Sequence, residues 1–140
     1  MSGAISEISG SSIVLDRGFV TYSNKAKQEM LGVTSSTIDI YGAVSKECAE
    51  EMAKGALAHT QVDLAVSITG IAGPAGATPD KPIGLVFFCA ASRRGSIIAH
   101  DRKYGNIGRC EVRRASVLQA LAMLQELATK EESRPPAGQG

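Results

Sequence analysis

Val62-Asp63-Leu64-Ala65-Val66-Ser67-Ile68-Thr69 is the stretch on which the fold of this 140-residue chain turns. Val62, Leu64, Val66 and Ile68 alternate with Asp63, Ala65, Ser67 and Thr69, the two-residue period that only a strand presents. Its second face is small rather than charged, so both faces are expected to be covered. Gly70 to Pro82 follows with three glycines and three prolines, a composition that excludes regular structure. Ile83 to Ala91 and Ile97 to Tyr104 are apolar, β-rich runs separated by an Arg93-Arg94-Gly95 turn. They are too close for a helical crossover and must pair antiparallel.

Helical patterns surround these strands. Ser2 to Ile8 reads as a short helix, and Ile13 to Tyr22 as a strand broken at Asp16-Arg17-Gly18. Asn24 is placed to cap a helix through Leu31 that Gly32 stops, and Thr34 to Gly42 reads as a polar connector. Ser45 caps a longer helix in which Val44, Cys48, Met52 and Ala56 recur every four residues. A last helix starts near Arg109, with Val117, Leu121, Leu124 and Ala128 as its stripe. Interleaved strands and helices make the fold class α/β, and the expected architecture is a three-layer α/β/α sandwich with a mixed sheet. One domain spans residues 1–130, and 131–140, with Pro135-Pro136 and no large apolar residue, is expected to be a disordered tail.

Composition narrows the function. Apolar residues make up 44% and the formal net charge is +1, which gives no global attraction to nucleic acid or an anionic membrane. Aromatic residues are 4%, too few for a base-stacking surface. Cys48, Cys89 and Cys110 form no CxxC pair and no zinc pattern, so buried free thiols in a reducing, cytoplasmic setting are expected. The longest apolar run, Leu85 to Ala91, is too short to span a bilayer. His59 and His100 stand apart from any acid pattern and read as surface or structural.

Three segments could carry chemistry. Tyr22-Ser23-Asn24-Lys25-Ala26-Lys27 gathers a phenol, a hydroxyl, an amide and two ammonium groups where the chain enters a helix; a solvated cap with surface lysines is the plainer alternative. Thr69-Gly70-Ile71-Ala72-Gly73-Pro74 leaves the end of a strand, where ligands of α/β sheets bind and glycines admit close backbone approach. A rigid turn would share that composition. Arg109 opens a helix, a position unfavourable to a cation unless it holds a phosphate or carboxylate. An exposed, unpartnered arginine remains the other reading.

Gly-Phe-Val-Thr-Tyr-Ser-Asn-Lys-Ala-Lys at 18–27, Gly42-Ala43-Val44-Ser45, Thr-Gly-Ile-Ala-Gly-Pro at 69–74, Thr78-Pro79-Asp80-Lys81-Pro82-Ile83-Gly84 and Arg109-Cys110-Glu111-Val112-Arg113 occur in that order. In this the chain resembles the CinA C-terminal domain family, the nicotinamide-nucleotide amidohydrolases also called PncC. The resemblance implies hydrolysis of the carboxamide of nicotinamide mononucleotide to nicotinate mononucleotide and ammonia, by a Ser/Lys amidase without metal or cofactor. It makes Lys27 the general base and Tyr22 its partner in proton transfer. Ser12, Asn24, Thr69, Gly70, Gly73 and Arg109 become substrate-binding residues, with Arg109 on the phosphate. It implies a small-molecule substrate, no nucleic acid, no membrane, and is compatible with a homo-oligomer. It also implies that the nucleophilic serine lies in a segment Glu-Ser-Cys-Thr-Gly-Gly upstream of these residues, so the first strand and the nucleophile are expected to be missing here. A catalytically inactive nucleotide-binding or protein-interaction module is the alternative.

Overall fold

The computed structural model describes residues 1–136. Its elements, in order, are α1 (Ser2–Ser6), a 3-10 turn (Ser11–Ile13), α2 (Asn24–Leu31), α3 (Ser35–Tyr41), α4 (Lys46–Ala58), β1 (Leu64–Gly70), β2 (Leu85–Ser92), β3 (Ile97–Lys103) and α5 (Arg109–Glu132). The fold is α/β, helices around a three-stranded sheet of order β1-β2-β3. β1 pairs antiparallel with β2 in a register that sets Ser67 against Cys89, and β2 pairs antiparallel with β3. The mixed sheet expected from the sequence is therefore not what the described strands form. The segment between Gly70 and Leu85 contains no helix that could carry the chain back for parallel pairing, so β2 returns beside β1 in the opposite sense.

The alternation of β1 does what its pattern requires. Leu64, Val66 and Ile68 pack with Val86, Phe88 and Ala90 of β2 against Val112, Ala120, Met123 and Leu127 of α5. Ala65 faces the other way, with Cys89 and Ala91, onto Ala49, Ala53 and Leu57 of α4. On that small-residue face the Ser67 hydroxyl donates to the Ala49 carbonyl at 2.5 Å. A third cluster lies beyond α4, where Leu31, Val33, Cys48 and Met52 meet Phe19 and Ile38.

The caps explain the helix boundaries. Ser23, one residue before the expected Asn24, accepts from the Ala26 amide, and Gly32 closes α2 in the left-handed region. Ser45 caps α4 by accepting from the Cys48 amide. Two readings are corrected. Ile13 to Tyr22 forms no strand: Ile13, Val14 and Val20 are exposed and, among the described residues, find no ladder partner. Thr34 to Gly42 is not a connector but contains α3, capped by Thr34 and tucked onto α4 through Ile38.

Arg93, in the turn between β2 and β3, donates to the Leu57, Thr60 and Val62 carbonyls and closes the carboxyl end of α4. α5 runs to Glu132, past the expected boundary at 130. There Glu131 accepts from Ser92 at 2.8 Å, and hydrogen bonds from Ser96 and Ser92 hold its carboxyl below the usual range. Residues 137–140 of the expected tail lie outside the described residues.

α2 can approach α4 this closely because Gly55 has no side chain. A Cβ there would sit 1.8 Å from the Leu31 carbonyl oxygen, a backbone atom that cannot swing aside. Gly55→Ala is accordingly expected to lower the free energy of unfolding by about 3 kcal/mol, the upper end for overpacking. Urea denaturation measures it; a loss under about 1 kcal/mol would mean that α2 is not held against α4 as described.

Candidate active site

The β1–α4 seam ends at Thr69. Its buried hydroxyl donates to the Ala43 carbonyl at 2.7 Å, which ties the last turn of β1 to the segment leading into α4. In that segment Ser45 Oγ donates to the Gly42 carbonyl at 2.8 Å while accepting from the Cys48 amide at 3.1 Å. The expected polar role of Thr69 thus has a structural component: its hydroxyl proton is already committed to backbone.

Lys27 is the unusual residue. It lies on the face of α2 toward the core, only 7% exposed, and Nζ donates to the Thr21 carbonyl at 2.8 Å. Among the described residues no carboxylate lies within ion-pair distance of it. Lys25, by contrast, is solvated and pairs with Glu29 along the helix at 3.6 Å. The two lysines of the motif are separated by helical geometry, since residues two apart cannot share a face. A buried amine held by one backbone carbonyl is costly unless the position has a use.

The glycine loop and α5 meet next to this seam. Arg109, first residue of α5, donates from a guanidinium nitrogen to the Gly73 carbonyl at 3.2 Å. The helix start is preceded by Gly108 and has no side-chain cap, so its first amides keep no protein acceptor from that source. Gly70 leaves no room for a side chain, because a Cβ would lie 2.9 Å from the Leu85 carbonyl oxygen. A cavity of about 250 Å³ opens on the α5 side of the sheet, lined by Ile68, Gly70, Ala72, Val86 and Val112. Its walls are mostly apolar, with Arg113 and Ser116 also lining it, and Lys27 is not among them.

The structure brings together Thr69, Gly70, Gly73 and Arg109 through consecutive chain and the Arg109 bond. Among the described residues Ser12, Tyr22 and Asn24 make no hydrogen bond to Lys27, although the Thr21 carbonyl that Lys27 meets is next in sequence to Tyr22. Tyr22 is 86% exposed, Ser12 and Asn24 are exposed, and no side-chain hydrogen bond of these three is present. Two residues near the site escaped the sequence reading. Lys81 donates to the Tyr41 carbonyl at 2.5 Å, and Glu51 accepts from the Thr34 amide at 3.3 Å. Lys81 lies within the quoted 78–84 motif, but neither partner could be read locally, because both residues act over long separations.

The thiols are not poised for nucleophilic chemistry. Cys48 and Cys89 are fully buried and Cys110 is exposed. Burial pushes the Cys48 thiol up against the opposing pull of Lys27, and raises Cys89 from its ordinary 9.0 to about 11. Among the described residues no three His, Cys, Asp or Glu side chains gather closely enough to hold a metal ion, and no helix is long and apolar enough to cross a membrane.

Two outcomes follow for the thiols. At pH 8 a thiol reagent should label Cys110 alone in the native chain, and all three cysteines after denaturation. Unfolded Cys89 loses its proton from about pH 9 while the folded residue keeps it to about 11, so stability should be full below pH 9 and fall through that window. Cys89→Ala should flatten the decline; an unchanged pH profile would contradict the assignment.

The comparisons with known proteins place this geometry. A family profile described as CinA C-terminal domain matches residues 1–128. The chain is 50% identical over 101 residues to the nicotinamide-nucleotide amidohydrolase PncC of Enterobacter agglomerans, an alignment covering 72% of this chain and 62% of that protein. It is 47% identical over 120 residues to the protein of the same name from Escherichia coli K12, covering 86% and 72% respectively. The crystal structure of competence/damage inducible protein CihA from Agrobacterium tumefaciens superposes with a TM-score of 0.89 at 50% identity, over 91% of this chain and 77% of that one.

Proposed function

The chain belongs to the CinA C-terminal domain family, and from that premise we propose that its site serves the hydrolysis of nicotinamide mononucleotide to nicotinate mononucleotide and ammonia. The relatives named nicotinamide-nucleotide amidohydrolase support the substrate class. The observation that carries the reading is Lys27, a buried amine that among the described residues has one backbone partner and no counter-ion within 4.0 Å.

Lys27 takes the proton of a hydroxyl nucleophile as that oxygen attacks the carboxamide carbon. The carbonyl oxygen becomes the anion of a tetrahedral intermediate, which in this reading the backbone amides of Gly70 and Gly73 meet. The proton then passes from Lys27 to the departing ammonia, and water hydrolyses the remaining ester to nicotinate. Arg109 and the uncapped start of α5 supply a guanidinium and free amides for the substrate phosphate. Arg109 exchanges or shares its Gly73 partner in doing so. The serine nucleophile belongs to the Glu-Ser-Cys-Thr-Gly-Gly segment, which these 140 residues do not contain. This chain spans 62% of the Enterobacter agglomerans relative. Work in the cytoplasm, within pyridine-nucleotide salvage, suits three free cysteines.

The exposure of Tyr22 and Ser12, neither of which hydrogen-bonds Lys27, favours a second reading, an inactive module that binds the mononucleotide without turning it over. One assay separates the two. Nicotinate mononucleotide formation is measured for this chain and for the chain completed with the serine-bearing segment. Turnover is expected only after completion, and Lys27→Ala in the completed protein should reduce kcat by at least ~10³-fold. Full activity in that variant would remove Lys27 from the mechanism. Binding without turnover in both forms would establish the module instead.

A further inference from the structure

The geometry points to Lys81 as a positioning residue that fixes the Gly42–Ser45 segment, and through it the end of the β1–α4 seam at Thr69, for nucleotide binding. This rests on the amidase reading for its substrate but not for its mechanics. Lys81 sits at the end of a closed turn: the Thr78 amide donates to the Lys81 carbonyl at 2.9 Å, and the Lys81 amide donates to both the Thr78 carbonyl and its hydroxyl, each at 3.2 Å. From this fixed base its side chain reaches back forty residues to the Tyr41 carbonyl. Tyr41 is the last residue of α3, so the ammonium satisfies a terminal carbonyl at the negative end of that helix.

Gly42 is the space this contact needs. Its φ is +81°, and a Cβ on it would lie 2.7 Å from Lys81 Nζ, where a side chain would displace the ammonium. The next links lead into the site. The Gly42 carbonyl accepts from Ser45 Oγ, Ser45 Oγ accepts from the Cys48 amide, and the Ala43 carbonyl accepts from Thr69. Burial raises the Cys48 thiol on the first turn of α4, against the pull of the Lys27 and Lys81 ammonium groups. Arg109 holds the same loop from its other side, at Gly73. Lys81 is thus the strut between the 71–84 loop and the α3–α4 junction.

The test compares the 140-residue chain with Lys81→Met, which keeps the stem but loses the donors, and Lys81→Arg, which restores a cation. Amide hydrogen exchange and nicotinamide mononucleotide affinity by calorimetry are the two readouts. In Lys81→Met the Gly42, Cys48 and Ala49 amides should exchange at least ~10-fold faster while β2 amides hold their protection, and Lys81→Arg should recover most of the difference. The dissociation constant should rise at least ~10-fold with the thermal midpoint nearly unmoved. Unchanged exchange at those amides, or acceleration spread through the sheet, overturns the strut. Faster exchange with unaltered nucleotide affinity overturns its role in binding. A wild-type chain that ignores the mononucleotide sinks the amidase reading instead, and the exchange data still decide on Lys81.

Discussion

Two hydroxyls on one face of β1 set the geometry from which the site hangs. Ser67 donates to Ala49 and Thr69 to Ala43, and both acceptors are backbone carbonyls of α4 or of the turn before it. Side chains this small let the helix lie close to the strand, and the hydroxyl bonds satisfy buried polar groups that would otherwise cost free energy. A larger residue at either position would push α4 outward. α2 would follow, because it rests on α4 at Gly55, and Lys27 travels with α2. The core position of β1 and the placement of the candidate base are therefore one constraint.

Long cationic side chains supply the remaining order, and each is used on backbone. Arg93 closes α4 at the Leu57 and Thr60 carbonyls, Arg109 holds Gly73, Lys81 holds Tyr41, and Lys27 holds Thr21. At the far end Arg94 and Arg134 converge on Glu131, and Arg94 also donates to the Pro135 carbonyl. Such bonds suit a chain whose loops are long relative to its sheet, since buried or half-buried carbonyls must find donors. Two of these cations, Lys27 and Arg109, also have the chemistry the proposed reaction needs.

What was legible in the sequence is what is decided locally. Helix α2 is bounded by Ser23 and Gly32, and α4 starts at Ser45, because a cap is a short-range bond between neighbours in sequence. β1 was legible because its alternation survives burial on both faces. Failure came where partners are distant. Ile13, Val14 and Val20 have strand character but no strand beside them, so their propensity has nothing to act on. α3 is rich in Ser and Thr with β-branched isoleucines, a poor helix by propensity, and is rescued by the Thr34 cap and by Ile38 against α4. Of the site, Lys27, Thr69, Gly70, Gly73 and Arg109 could be named from motifs. Lys81, though inside the 78–84 motif, and Glu51 could be given no role, because their contacts cross forty and seventeen residues.

The central claim is that this seam and loop receive a pyridine mononucleotide, and titration of the isotopically labelled chain with nicotinamide mononucleotide tests it most directly by nuclear magnetic resonance. The account predicts saturable shifts concentrated at the Gly70, Gly73 and Arg109 amides and at the Lys27 side chain, with β3 and the Glu131 end of α5 silent. Shifts confined to the exposed 8–22 segment or to the far end of α5, or none at millimolar nucleotide, would contradict it.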